Sequence, residues 1–511
     1  MRKLCRMIFS RYAISAIVIL LELALIALLG FRAYEYSVYA LVLFSAVDIA
    51  VIITLINRNA NPEYKVSWLV VVMLLPPFGA VLYALFYSRK LSKREVERME
   101  LIREELTRGT ASETEEVLEA LGERDALAAG KARTVLADDP LARVFTGTES
   151  RFYSEGEDML LDMLRDIAAA EKYVFLEYFI IDEGEMWDRI HTVLLGKVRE
   201  GVEVRVLYDD IGSMKTLPQS FVKTLNSEGI ECCRFGKVTP KISNVHNNRD
   251  HRKIAVIDGR IAYTGGMNIA DEYINKKTRF GHWKDGGVRL FGRAAEGFLS
   301  LFVSLWDLSC TGRTDIDAYR CKETFTGDGG FYLTFGTGPM PLYKRPVGKR
   351  VLLDIINQAE RYVYITTPYL IIDYELTEGL IAAARRGVDV RIITPGKADK
   401  PLVKVMTKSS YPYLIEGGVS IYEYSPGFIH EKTVVSDDKY ALIGTINLDY
   451  RSLVHHFEDA VLIYGSETVM RVKDEYLKTV SVSERCALGR ARLTVKERII
   501  RNLIRIFAPL L

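Results

Sequence analysis

Cysteine and histidine are scarce in this chain, with six cysteines and seven histidines among 511 residues. No cysteines form a C-x-x-C pair, and none stands near histidines at the spacing of zinc ligands, which argues against a structural zinc site. We therefore predict neither a metal nor another cofactor. All six cysteines are interpreted as reduced thiols, the state typical of a protein body that faces the cytoplasm.

A basic excess is also missing, because 68 lysines and arginines are balanced by 66 aspartates and glutamates. Proteins dedicated to nucleic-acid binding usually carry such an excess, so we expect no nucleic-acid partner. The chain is long enough for two or three domains with sizeable cores.

Long apolar runs are confined to the start of the chain, at about 13–29, 38–56 and 68–86. Each run is close to the ~20 residues that a helix needs to cross the hydrocarbon core of a bilayer. Three such runs in succession make buried helices of a soluble domain the weaker interpretation. We predict an N-terminal membrane-anchoring region, transmembrane in character, over residues 1–90.

Basic residues flank these runs on both sides, with Arg2 and Lys3 before the first and Arg89 and Lys90 after the third. By the positive-inside rule both flanks favour the cytoplasm, which three full spans cannot satisfy. The break at Pro76-Pro77 makes the third run a candidate re-entrant or interfacial segment. We expect a multi-pass membrane protein with a cytoplasmic-facing body and leave the number of spans open.

A charged stretch at residues 91–138 follows, and its segment KREVERMELIREEL has the composition of an exposed helix. We interpret it as a connector that lifts the body away from the bilayer. From residue 139 onward, apolar strand patterns alternate with amphipathic helical patterns. At the far end, residues 486–511 predict a basic amphipathic helix that lies either on an anionic bilayer or against the protein's own body.

The body contains an internal repeat. EKYVFLEYFIID at 171–182 is similar to ERYVYITTPYLIID at 360–373, and GVEVRVLYDD at 201–210 is similar to GVDVRIITPG at 387–396. In both copies the order is strand, helix, strand, which predicts β-α-β units. We predict an α/β fold of two pseudo-repeated halves, 139–320 and 321–485, with mixed but mostly parallel sheets and a site where the halves meet.

Each half carries the same ungapped motif, H-x-K-x4-D-x6-G-[GT]-x-N, which is far more specific as a pair than as one copy. The first copy supplies His251, Lys253, Asp258, Gly266 and Asn268. The second supplies His430, Lys432, Asp437, Thr445 and Asn447.

The spacing has a physical basis, because residues i and i+2 of a strand face the same side. Histidine and lysine of each copy therefore point into one cleft, and a return strand brings the glycine or threonine and the asparagine back beside them. Two lysines and two asparagine amides can hold the oxygens of a phosphodiester without a metal.

The two histidines need different protonation states for this chemistry. One neutral imidazole can attack phosphorus and form a covalent intermediate. The other, protonated, can donate to the leaving oxygen and then deprotonate the incoming alcohol or water. We expect neighbouring carboxylates to tune them: Asp285 in the first half and Glu458 in the second.

The paired motifs resemble the phospholipase D superfamily. The segments YDDIGS, GHWKDGGVRL, SPGFIHEKT and GTINLDYRS, together with the N-terminal runs and the closing FAPLL, are similar to bacterial cardiolipin synthases of the phospholipase D type over nearly the whole chain. The resemblance implies an inner-membrane phosphatidyltransferase. One phosphatidylglycerol would give its phosphatidyl group to the enzyme and release glycerol, and a second would accept the group to form cardiolipin.

By the same resemblance, His251 is the nucleophile and His430 the general acid and base. Asp258 and Asp437 would hold the motif turns. Glu431 departs from the family pattern, where a small residue is common, and strand alternation points it away from the cleft.

Alternatives remain open at this point. A hydrolytic phospholipase D would use the same residues with water as acceptor, so the motifs do not separate it from the transferase. A nuclease of the superfamily and a catalytically silent membrane scaffold are less consistent with the apolar runs and the intact motifs. The sequence also leaves open a phosphatidylethanolamine donor, the acyl-chain preference and the oligomeric state.

Overall fold

The computed structural model describes residues 34–58, 61–76, 78–86, 93–237, 248–310, 312–491 and 493–507. The chain forms two compact units. The smaller comprises Met1–Lys90, Val238–Asn247 and Ile499–Leu511, and the larger comprises Leu91–Lys237 and Asn248–Arg498. The apolar run predicted at 13–29 lies outside the described residues.

The described part of the smaller unit begins with three helices: α1 (Tyr34–Asn57), α2 (Pro62–Leu74) and α3 (Phe78–Phe86). Their apolar side chains pack around Trp68, whose ring meets that of Tyr83 edge-on at 5.5 Å between centroids. The predicted run at 68–86 is divided between α2 and α3, as expected where proline interrupts a helix. By length and hydropathy, no helix among the described residues qualifies as a membrane span.

The charged stretch at 91–138 is not the exposed connector that its composition predicts. It folds into α4 (Lys93–Leu106), α5 (Ala111–Arg124) and α6 (Ala126–Asp138). Met99, Ile102 and Leu106 recur along one face of α4 and are buried, and α4 packs against the helix Ala295–Ser309. The stretch belongs to the larger unit because this narrow apolar face, hidden among charges, docks on the body.

The first half of the body is a seven-stranded sheet with flanking helices, in the strand order β2-β9-β7-β6-β3-β4-β5. Its described elements, with the preceding strand β1, are β1 (Arg143–Phe145), β2 (Thr148–Tyr153), α7 (Gly156–Ala168), β3 (Tyr173–Tyr178), α8 (Glu185–Arg199), β4 (Glu203–Asp209), α9 (Phe221–Ser227), β5 (Glu231–Phe235), β6 (Lys253–Ile257), β7 (Ile261–Gly265), β8 (His282–Lys284), β9 (Gly287–Gly292) and α10 (Ala295–Ser309).

The second half repeats this plan in a nine-stranded sheet, in the order β1-β10-β19-β17-β16-β11-β13-β14-β20. Its described elements are β10 (Phe331–Thr337), α11 (Val347–Gln358), β11 (Tyr362–Thr366), β12 (Leu370–Ile371), α12 (Tyr374–Arg385), β13 (Asp389–Pro395), α13 (Pro401–Glu416), β14 (Ser420–Tyr424), β15 (Gly427–Ile429), β16 (Thr433–Ser436), β17 (Tyr440–Gly444), β18 (Leu448–Asp449), α14 (Tyr450–Val454), β19 (Glu458–Tyr464), α15 (Glu467–Ser481), β20 (Ser483–Arg485), α16 (Leu488–Ala491) and α17 (Val495–Phe507).

The two-repeat α/β architecture agrees with the prediction, but the sheets are not mostly parallel. Within the seven-stranded sheet only β3–β4 and β4–β5 pair in parallel among the described strands, and within the nine-stranded sheet only β11–β13 and β13–β14 do so. Those pairs are the predicted β-α-β units. The other pairs in these two sheets are antiparallel, and they include the hairpins β6–β7 and β16–β17, in which a tight turn follows each motif strand.

One pair of cysteines departs from the interpretation that all six are reduced. Cys233, in β5, and Cys310, at the end of α10, form a disulfide with their Cα atoms 6.2 Å apart. Cys232, Cys321 and Cys486 are free. The bonded residues are separated by 77 positions, so sequence spacing alone gave no sign of their proximity.

The two motif aspartates sit in turns of the left-handed region, with φ of 52° at Asp258 and 55° at Asp437. The carboxylate of Asp258 accepts hydrogen bonds of 2.8–2.9 Å from three consecutive backbone N–H groups, Glu171 to Tyr173. Asp437 does the same for Glu360 to Tyr362. Each aspartate therefore ties its motif hairpin to the start of the neighbouring strand, β3 in the first half and β11 in the second.

We predict that Asp258→Asn and Asp437→Asn each lower the free energy of unfolding by about 1–3 kcal/mol, because an amide group cannot accept from all three backbone donors. Asparagine tolerates the left-handed backbone, so the change tests the hydrogen bonds alone. Thermal and chemical denaturation measure the effect, with Asp474→Asn on the exposed side of α15 as the control. Equal stability of all three variants would contradict a structural role for the motif aspartates.

Candidate active site

Each motif histidine is docked, through its backbone, on a strand segment of the other half. The N–H of His251 donates to the carbonyl of Phe457 at 2.9 Å, and the N–H of His430 donates to the carbonyl of Lys284 at 2.8 Å. Asp250 forms an isolated parallel β-bridge with Phe457 beside the first of these bonds, and β8 pairs in parallel with β15 beside the second. The two halves therefore exchange backbone hydrogen bonds on both sides of one cleft.

The residue after each accepting carbonyl is a buried carboxylate that reaches the docked imidazole. Glu458 Oε2 lies 2.8 Å from His251 Nδ1, and Asp285 Oδ2 lies 2.6 Å from His430 Nδ1. Both carboxylates are completely buried. The sequence placed each carboxylate in the half of its own histidine, whereas the structure exchanges them between the halves. A carboxylate at Nδ1 fixes the ring and leaves Nε2 for chemistry.

The motif lysines lie beside the histidines, as the i, i+2 spacing predicts. Lys253 Nζ donates to the carbonyl oxygen of His251 at 2.7 Å, and Lys432 Nζ donates to that of His430. Both side chains are buried. Burial lowers the pKa of Lys253 and lowers that of Lys432 to about 7. These partly desolvated ammonium groups are suited to hold a phosphoryl group.

The two histidines differ in their electrostatic surroundings. Burial and the charges of Lys253 and Lys432 hold the pKa of His251 well below its usual range. Burial and Lys432 also lower the pKa of His430, to about 4, but Asp285 opposes them. Burial raises the pKa of Glu458 to about 7. Near neutral pH these shifts favour the neutral form of both rings, and Asp285 makes protonation of His430 less unfavourable than that of His251.

The two motif asparagines are not equivalent. Asn268 accepts a hydrogen bond from the N–H of Ile180 at 3.0 Å and donates to the hydroxyl of Tyr273 at 2.7 Å. Asn447 Oδ1 is buried without a hydrogen-bond partner. Asn268 therefore joins the loop at Ile180 to the motif, whereas the side-chain oxygen of Asn447 makes no hydrogen bond within the protein.

The predicted phosphate contacts at Gly266 and Thr445 are occupied within the protein. The N–H of Gly266 donates to the carbonyl of Gly286 at 3.0 Å, and the N–H of Thr445 donates to that of Asp459 at 2.9 Å. A Cβ at Gly266 would stand 2.1 Å from Asp285 Oδ1. Gly266 is therefore required for the approach of the carboxylate that orients His430.

Asp258 and Asp437, predicted with the catalytic set, hold backbone N–H groups at the opposite end of their strands from the histidines. Glu431 is buried and accepts a hydrogen bond from Thr433 at 3.0 Å. Burial raises the pKa of Glu431 to about 7. Its charge acts on Lys284, so this departure from the family pattern supports the junction between the halves.

Sequence reasoning missed the groups that support the carboxylates and the rings. Ser452 donates to Glu458 Oε1 at 2.7 Å. The ring of His456 lies 5.5 Å from that of His251, and the ring of Trp283 lies 5.5 Å from that of His430. Each of these rings stands two residues before a catalytic-site carboxylate, so comparison of HHFE with HWKD could have identified the position, though not its contacts.

Fold and site together define a two-repeat protein of the phospholipase D class. A family model described as the phospholipase D-like domain of cardiolipin synthase matches residues 163–278 and 352–479. A second, described as the N-terminal region of phospholipase D nucleases, matches residues 46–86.

Whole-chain comparisons agree with these matches. A cardiolipin synthase of Geobacillus is 33% identical over 91% of this chain and 92% of that protein. An uncharacterised protein of Streptococcus mutans is 37% identical over 90% of this chain and 99% of that protein. The crystal structure of a phosphatidylserine synthase from Haemophilus influenzae shares the fold, with a TM-score of 0.55 and 15% identity over 71% of this chain and 93% of that one.

The chain belongs to the bacterial cardiolipin synthases of the phospholipase D superfamily, a family of phosphatidyltransferases. The family and the N-terminal match indicate a membrane-associated enzyme.

We predict that Glu458→Gln and Asp285→Asn each lower kcat roughly 100-fold or more, because an amide no longer holds the imidazole in the correct tautomer and orientation. Steady-state transfer kinetics measure the loss. Glu431→Gln is the matched control, since this carboxylate is also buried next to a motif histidine in the chain but interacts with Lys284. A similar loss in the control would show that burial near the motif, and not contact with Nδ1, is what matters.

Proposed function

We propose that the enzyme joins two phosphatidylglycerol molecules into cardiolipin and glycerol through a phosphohistidine intermediate. The observation that carries the proposal is the pair of crossed carboxylate–histidine contacts, His251 with Glu458 and His430 with Asp285, between two buried lysines. This arrangement supplies a nucleophile, a proton donor and two cations for one phosphodiester. The hydrolytic alternative is not favoured, since the named relatives are cardiolipin synthases.

His251 is the nucleophile in this scheme. Burial, together with Lys253 and Lys432, lowers the pKa of His251 and keeps its ring neutral, so a lone pair at Nε2 is available for attack on phosphorus. A P–N bond forms, the P–O bond to glycerol breaks, and glycerol leaves with a proton from His430. Asp285 stabilises the imidazolium of His430, and the negative charge of the bound diester adds to that effect.

The second step reverses the first with a new alcohol. A hydroxyl of the second phosphatidylglycerol gives its proton to His430 and attacks the phosphorus of the intermediate. The P–O bond of cardiolipin forms, and His251 leaves as neutral imidazole. Lys253 and Lys432 hold the phosphoryl oxygens in both steps, which lowers the energy of both transition states.

Anchoring at the membrane is assigned to residues 1–90. The helix α1 exposes a series of large apolar side chains, which favour contact with lipid: Val38, Leu41, Val42, Leu43, Ile49, Ile53 and Ile56. The multi-pass topology and the cytoplasmic placement of the body stay predictions from the sequence, as do the lack of a nucleic-acid partner and the open oligomeric state.

Labelled phosphatidylglycerol, incubated with purified enzyme in mixed micelles with chelator, should give cardiolipin and free glycerol. We expect His251→Ala and His430→Ala to lose roughly 1,000-fold or more in rate. Digests of enzyme quenched in denaturant at neutral to mildly alkaline pH, where the P–N bond survives, should carry the phosphatidyl adduct on the peptide that contains His251. Phosphatidic acid as sole product would make the enzyme a hydrolase, and an adduct on His430 would exchange the two roles.

We predict that kcat/KM falls as pH rises through about 7, because Lys432 loses its proton there and a neutral amine no longer attracts the phosphate. Lys432→Arg should move this basic limb upward, since guanidinium stays protonated. Lys253→Arg is the control and should leave the limb in place. If the Lys432→Arg variant keeps a basic limb near pH 7, the titration of another group is responsible for that limb.

A further inference from the structure

A second donor set overlaps the first half of the catalytic site. His251, His456 and Glu458 each present a ligand atom, and these atoms all lie within 4.8 Å of one another. Within the described ranges of the chain, no other group of three such residues meets this condition. The three come together only because Glu458 crosses to the histidine of the other half.

The separations suit a single ion. Two ligands of a tetrahedral zinc ion, each at about 2.0–2.1 Å, stand roughly 3.4 Å apart. His251 Nδ1 and Glu458 Oε2 are 2.8 Å apart, and His456 Nδ1 and Glu458 Oε1 are 3.8 Å apart. Glu458 thus presents one oxygen to each imidazole, so an ion between the two rings meets a Glu458 oxygen after small side-chain shifts.

His456 provides the independent observation. Its side chain is 11% exposed, and its Nδ1 has no hydrogen-bond partner although it lies 3.8 Å from Glu458 Oε1. The corresponding position on the other side of the cleft is Trp283, which has no lone pair to offer a metal. The donor set is therefore present beside His251 and absent beside His430.

We propose that His251, His456 and Glu458 bind a divalent transition-metal ion of the zinc class, and that the bound ion inhibits transfer. The inhibition rests on the proposed role of His251 as nucleophile. Two imidazoles, one carboxylate and an open position are a zinc-type donor set, whereas Mg²⁺ and Ca²⁺ prefer oxygen ligands.

The ion takes the place of the proton between His251 Nδ1 and Glu458, and the neutral ring carries that proton on Nε2 instead. Nε2 of the same ring then has no lone pair with which to attack phosphorus. The charges of Lys253 and Lys432 oppose the ion, so we expect moderate affinity and not the tight binding of a structural zinc site.

Co²⁺ replaces zinc as a spectroscopic probe in chelator-stripped, full-length enzyme in detergent, without lipid substrate. We expect visible absorption bands of one nitrogen- and oxygen-bound Co²⁺ per chain. His456→Phe and His456→Gln should weaken binding at least about tenfold, with folding verified by thermal denaturation. His191→Phe is the matched control, because His191 and Glu228 form a similar 2.8 Å pair outside the cleft.

Zn²⁺ should inhibit transfer by the wild-type enzyme at the concentrations at which Co²⁺ binds, and a chelator should reverse the inhibition. The His456 variants, each compared with its own metal-free rate, should need a Zn²⁺ concentration at least about tenfold higher for the same inhibition. Unchanged Co²⁺ binding in both His456 variants, or a strong thiolate absorption band from the free cysteines, would overturn the site. Binding without inhibition would overturn the inhibitory role. The spectra need no turnover, so an enzyme inactive on phosphatidylglycerol refutes the proposed function and leaves the metal test readable.

Discussion

The crossed contact between a histidine of one half and a carboxylate of the other is the constraint on which the site depends. His251 and His430 are both held at Nδ1 by carboxylates that reach them from the opposite repeat. In a single half, the buried imidazole would lack its carboxylate partner and the buried carboxylate would lack its imidazole partner. Each unpaired buried polar group would cost free energy of folding. The active site is therefore a property of the joined halves, and neither repeat holds a complete copy.

Burial gives this arrangement its chemical use. The lysines, the histidines and the carboxylates are all removed from water, so each charge is felt strongly by its neighbours. Lys432 consequently titrates near neutral pH, and His251 is kept neutral. The same burial requires that every charge be compensated by a neighbouring group. The backbone hydrogen bonds to Phe457 and Lys284 make this possible because they fix the adjacent carboxylates in place.

The two sides of the cleft are similar in backbone and different in side chains. Asp285 opposes Glu458, and Trp283 occupies the position that His456 has on the other side. Burial lowers the pKa of both motif histidines, and Asp285 opposes that shift at His430. The side-chain differences therefore make the two histidines electrostatically unequal, and one of them places an additional imidazole within reach of Glu458.

The sequence by itself determined the two-repeat α/β fold and the motif histidines and lysines, because strand periodicity and local spacing encode which side chains share a face. It did not reveal the exchange of Asp285 and Glu458, the disulfide between Cys233 and Cys310, or the buried face of α4. Each of these depends on contacts between segments far apart in the chain. Such contacts depend on how the hairpins pair and how the two repeats dock on each other. Only the tertiary structure contains that information.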